Sequence, residues 1–97
     1  MRLRYTPDAA AELDAVLAYI AERSPQGARR VQRRIRTVID LLLEHPRSGR
    51  PTSLPRMRRI LATPNPYPIF YEASEDDLII LGIRHAARDP ASMPDMP

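Results

Sequence analysis

The chain is 97 residues long, enough for one domain and too short for a second core. Cysteine is absent and no apolar stretch is long enough to span a membrane, so a disulfide framework, a thiolate metal site and a membrane span are excluded. With no apolar signal-peptide core near the start, the expected location is the cytoplasm. The 15 basic residues are all arginine and stand against 12 acids, for a formal charge of +3. They are unevenly placed: Arg29 to Arg59 holds ten arginines and two acids, Asp40 and Glu44. Such a block points to an anionic partner, nucleic acid or an acidic protein segment, unless it is simply a solvated basic face.

Arg2 to Tyr5 alternates charged and apolar residues and reads as a short edge strand. Thr6 followed by Pro7 is an N-cap with proline at the first helical position, and Asp8 and Glu12 bring negative charge to the positive end of the helix dipole. Leu13, Val16, Leu17 and Ile20 repeat with the period of one buried helical face, which predicts a helix ending near Arg23. Ser24 and Pro25 repeat the start signal at once, so the second helix folds back through a very short connection. Its apolar stripe is Ala28, Val31, Ile35, Val38, Ile39 and Leu42, with Arg29, Arg30, Arg33, Arg36 and Asp40 on the other side.

His45 and Pro46 end that helix. Pro46 to Arg56 reads as a proline-stiffened loop bent at Gly49 and made electropositive by Arg47, Arg50 and Arg56. Met57 to Ala62 and Ile69 to Ala73 form a hairpin around the turn residues Thr63 to Pro66. After a polar turn at Ser74 to Asp77, the nearly unbroken apolar run Leu78 to Ile83 predicts a strand buried on both faces. Pro90 to Pro97 has no periodicity and reads as a tail. The order is β-α-α-β-β-β, an α+β fold in which a helical hairpin packs on a small antiparallel sheet.

Isolated glycines rule out a phosphate-cradling loop, two histidines without clustered carboxylates make a metal site improbable, and no strained turn exposes a serine nucleophile. No cofactor is expected. Metal-independent RNA cleavage needs a base for the 2′-hydroxyl, an acid for the leaving oxygen and cations at the phosphate. His85, with Tyr67 or Tyr71, and Arg58, Arg59, Arg84 or Arg88 supply those types. The bland alternative is that Tyr71 packs in the core or at its rim, His85 caps the strand and Arg88 pairs with Asp89.

The opening strand with TPDAAAELDAVLAYI, then SPQGARRV, HPRSGRP, MRRI, PYPIFYE and LIILGIRHAARDP, resembles in this order a toxin of the ParE/RelE superfamily of type II toxin-antitoxin systems. The resemblance implies a single toxin domain over residues 1–90 with a flexible tail at 91–97. Its RelE-like branch consists of ribosome-dependent mRNA endonucleases; here Arg59 matches one basic position, and the catalytic set would be Arg59, Tyr71, Arg84 and His85. Leu61, Pro68 and Ala86 stand where that branch places basic residues, and 89–97 contains no tyrosine or histidine. The PYPIFY and RHAARDP segments resemble the ParE-like branch, which inhibits DNA gyrase by binding it. That branch implies no catalytic residue, a cognate ParD-like antitoxin, and operator DNA met only through the antitoxin; the candidate target-binding residues are Arg56, Arg58, Arg59, Arg84, His85 and Arg88, because they lie at strand ends beside loops.

Overall fold

The computed structural model describes residues 1–84, so His85, Arg88 and the tail lie outside the described residues. Its elements are β1 (Arg2–Tyr5), α1 (Pro7–Arg23), α2 (Pro25–Glu44), β2 (Arg50–Pro51), β3 (Arg58–Leu61), β4 (Pro68–Ala73) and β5 (Asp77–Ile83).

Both helices start as their sequence signals require. The Thr6 hydroxyl oxygen accepts from the amide of Ala9 at 3.1 Å, and Pro7 fills a position whose amide would lack a partner. Ser24 closes one helix and opens the next: its amide donates to the Ile20 carbonyl at 2.8 Å, while its hydroxyl oxygen accepts from Gly27 at 3.0 Å. One residue in extended conformation therefore turns the chain back on itself. The predicted stripe of α2 is buried at Val31, Ile35, Val38, Ile39 and Leu42, whereas α1 buries Ala9 and Val16 and half-buries Leu13, Leu17 and Ile20. These side chains meet Ile69, Tyr71, Leu78, Ile80 and Ile83 of the sheet in one core. Each fully buried aliphatic side chain contributes about 1.5–3 kcal/mol, so the core sets the layer arrangement.

The sheet has five strands in the order β1-β5-β4-β3-β2. The predicted meander is β3, β4 and β5, antiparallel throughout. Two features differ from expectation. β1 occupies an edge, as expected, but runs parallel to β5, so the sheet is mixed. The loop after α2 also contributes a strand of its own, β2, which pairs with Arg58 and Arg59.

β5 was expected to be buried on both faces, and it is buried on one. Leu78 and Ile80 enter the core, while Ile79 and Leu81 are only half-buried. The register slips beside Phe70 and Tyr71 and leaves Leu81 with no residue opposite it. This bulge lets Ile80 and Ile83 both reach the core, although their three-residue spacing would put them on opposite faces of a regular strand.

Candidate interaction site

Adjacent arginines on a strand point to opposite faces, and β3 uses this to give Arg58 and Arg59 different tasks. Arg58 lies opposite Tyr71 and donates from Nη1 to the Gly49 carbonyl at 2.8 Å. The Tyr71 hydroxyl accepts from the Gly49 amide at 2.8 Å and donates to the Pro46 carbonyl at 2.7 Å. Tyr71 is fully buried, and burial raises its pKa above the usual tyrosine value; the Gly49 amide and the Arg58 charge act more weakly in the opposite sense. The hydroxyl considered for acid–base work is thus spent on fastening the loop after α2 to the sheet.

Gly49 is required there. A Cβ on it would lie 2.5 Å from the Tyr71 hydroxyl and 2.8 Å from the Arg59 carbonyl, distances that no side chain accepts.

Arg59 lies opposite Phe70 on the other face, its guanidinium carbon 5.9 Å from the ring centroid. Arg84, just past β5, sits at the same distance from the same ring. Two cations within about 6 Å of one aromatic ring is a cation–π arrangement. Arg84 is also held by Glu12 of α1 at 3.1 Å, and the other Glu12 oxygen accepts from the Ile83 amide at 3.2 Å. Apart from the ring, the Arg59 side chain has no hydrogen bond or ion pair among the described residues.

The loop side carries two arginine-lined clefts. One, about 440 Å³, is bounded by Pro46, Arg47, Arg56, Arg58 and Ala73 to Glu75. The other, about 370 Å³, is bounded by Ser48, Arg50, Arg59, Ile60 and Leu61. Arg56 holds a left-handed backbone conformation with φ 63°, which is uncommon for a residue with a side chain. The arginines expected on one rim are therefore divided: Arg56 and Arg58 line the first cleft, Arg59 the second, and Arg84 joins Arg59 over Phe70. Tyr67 is buried, and burial raises its pKa, with Tyr19 acting in the same direction.

Sequence reading missed Glu12, Phe70, Arg47 and Arg50 as members of the site. Glu12 was legible only as a charge suited to the start of α1. Phe70 looked like one more apolar strand residue, and only the β3–β4 register reveals it as the platform for two arginines. Among the described residues no group of three histidines, acids or cysteines is placed to hold a metal ion, and no helix is long and apolar enough to cross a membrane.

A helical pair laid on a mixed sheet, with guanidinium groups along its loop side, is the architecture of a small type II toxin. The model of the ParE toxin of the type II toxin-antitoxin system parDE matches residues 3–90. The homologue named toxin Y4kP, from Sinorhizobium fredii, is 41% identical over 85 residues, covering 88% of each chain. Toxin RelE2 of Caulobacter vibrioides is 38% identical over 84 residues, covering 87% of this chain and 93% of that one. A solved structure of the chromosomal ParDE system from P. aeruginosa superposes with a TM-score of 0.73 at 26% identity, covering 88% of this chain and 95% of that one. The chain belongs to the ParE toxin family and is the toxin component of a type II toxin-antitoxin system.

Proposed function

We propose that this toxin arrests growth in the cytoplasm by binding DNA gyrase, without bond-breaking of its own, and that a cognate ParD-like antitoxin neutralises it. The observation that carries the reading is the Tyr71–Gly49–Arg58 junction. It commits to the fold the hydroxyl of Tyr71, the described group best suited to acid–base chemistry. What remains is a gripping surface: Arg59 and Arg84 on Phe70, and Arg56 and Arg58 lining the cleft beside Arg47. His85 and Arg88 complete the proposed target-binding set from the segment that follows β5.

The antitoxin is assigned to the side of the molecule along β1. Among the described residues this strand pairs only with β5, which offers its outer backbone edge to an added extended segment. Beside it a groove of about 280 Å³ is lined by Leu3, Tyr5, Leu13, Ile35 and Ile39, with Arg36 and Asp40 at its rim. Leu3 and Tyr5 are exposed, as befits a surface that a partner covers.

The second reading, an mRNA endonuclease using Arg59, Arg84 and His85, is favoured by one observation, the RelE2 name of a relative. Inducing the gene without its antitoxin separates the two. Loss of negative supercoiling with a DNA-damage response supports gyrase binding. Ribosome-bound mRNA fragments that disappear in His85→Ala would instead establish cleavage.

A further inference from the structure

The charges of α2 run opposite to what helix stability favours. In α1 the ordinary arrangement holds, with Asp8 in the first turn and Arg23 in the last. The first turn of α2 has no acid and its last turn no base. Its five arginines fall between positions 29 and 36, and Asp40 and Glu44 follow them toward the negative end of the dipole. Arg29, Arg33 and Arg36 recur at i, i+4 and i+7 and form one stripe, with Arg30 on its flank; all four are exposed. None of the four side chains has a hydrogen bond or ion pair among the described residues, where ion pairs join only Arg2 and Arg4 to Asp77 and Arg84 to Glu12. Like charges at i, i+4 destabilise a helix, so Arg29 and Arg33 together cost the fold and are not relieved within it.

We propose that the Arg29–Arg33–Arg36 stripe docks on the sugar–phosphate backbone of duplex DNA, giving the toxin a nucleic-acid contact of its own. A guanidinium fork matches phosphate oxygens, and a polyanion removes the repulsion within the stripe. The helical rise sets neighbouring stripe arginines about 4.5–6 Å apart along the axis, one to two phosphates of a single strand. An acidic protein segment fits less well, because such segments normally anchor through apolar side chains. Among the described residues, the exposed large apolar ones are Met1, Leu3, Tyr5, Tyr19, Leu41, Leu54 and Leu61. Only Leu41 belongs to α2, and it lies beyond the stripe. The stripe shares no residue with the proposed gyrase-binding set, so either assignment can fail without the other.

The test is anisotropy of a short labelled DNA duplex titrated with the purified full chain, without gyrase, across a salt series. The wild type is compared with Arg29→Gln/Arg33→Gln/Arg36→Gln and with a control, Arg47→Gln/Arg50→Gln/Arg56→Gln, each checked for an unchanged circular dichroism spectrum. Loss of three phosphate contacts is expected to make the slope of log K against log salt shallower by about 2.7. Equivalently, these contacts account for about 40-fold of the weakening between 50 and 200 mM salt. The control is expected to change the slope less. The proposal is overturned if the wild type does not bind the duplex or if the α2 triple leaves the slope unchanged. It is overturned equally if the control triple removes the whole effect, or if the stripe captures a polyglutamate peptide but no DNA.

Discussion

Tyr71 is the residue on which the loop side depends, since its hydroxyl joins Pro46 and Gly49 to the sheet from a fully buried position. Tyr71→Phe leaves a buried amide and a half-buried carbonyl each without this partner, at a cost of about 1–3 kcal/mol measured by denaturant unfolding. Under the binding account the folded variant keeps its toxicity, whereas a catalytic tyrosine would lose it. Burial also holds the pKa values of Tyr71 and Tyr67 above the usual tyrosine value. With the folded value raised, the unfolded chain loses its tyrosine protons first as pH rises. The associated stability is therefore intact below about pH 10 and falls as pH climbs through the folded values. Thermal midpoints followed from neutral to alkaline pH are expected to drop above that point, less steeply in Tyr71→Phe.

Gly49 and Arg56 make opposite demands on the same loop. At Gly49 the space is already occupied, and Gly49→Ala is expected to destabilise by about 1–3 kcal/mol as overpacking. At Arg56 the backbone is the source of strain: a left-handed residue with a side chain costs about 1–2 kcal/mol. Arg56→Gly is expected to keep or raise the thermal midpoint while weakening target binding. A midpoint several degrees lower would show that the arginine side chain is what holds the turn.

Among the elements, the helices were the most legible in the sequence, because their signals are local. Thr6-Pro7 and Ser24-Pro25 mark the starts, and the periods of Val16 and Ile35 mark the buried faces. The hairpin of β3 and β4 was equally plain from its turn residues. The two-residue β2 was not: pairing between Arg50–Pro51 and β3 depends on the Tyr71 anchor, 22 residues beyond Gly49 in sequence. Nor was the bulge in β5, since the apolar run Leu78 to Ile83 carries no mark of where its register slips. The union of α1 with the end of β5 was similarly hidden in Glu12, whose carboxylate serves both the Ile83 amide and Arg84. Both side chains are about a quarter exposed, so Glu12→Ala is expected to cost only about 1 kcal/mol in unfolding free energy. Its larger effect should be on toxicity, through loss of the carboxylate that pairs with Arg84 beside Phe70. An unchanged toxicity at matched protein level would remove Arg84 from the target-binding surface.

Across the molecule, the two-layer architecture followed from the order of elements, but the parallel pairing of β1 with β5 did not. Strand order depends on which edge remains free once the meander has formed, and no single segment records it. The same geometry sets the arginine-lined clefts of the loop side apart from the strand edge and its apolar groove, whereas the basic stripe of α2 shares Arg36 with the rim of that groove.

The most direct test of gyrase binding is a supercoiling assay with purified gyrase, relaxed plasmid and this chain, run beside a translation reaction in which ribosome-bound mRNA is mapped for cuts. Binding predicts that supercoiling stops as toxin approaches the gyrase concentration, that Arg59→Glu restores it, and that the mRNA stays whole. Undisturbed supercoiling with mRNA cut at toxin concentrations far below that of the ribosomes would contradict it.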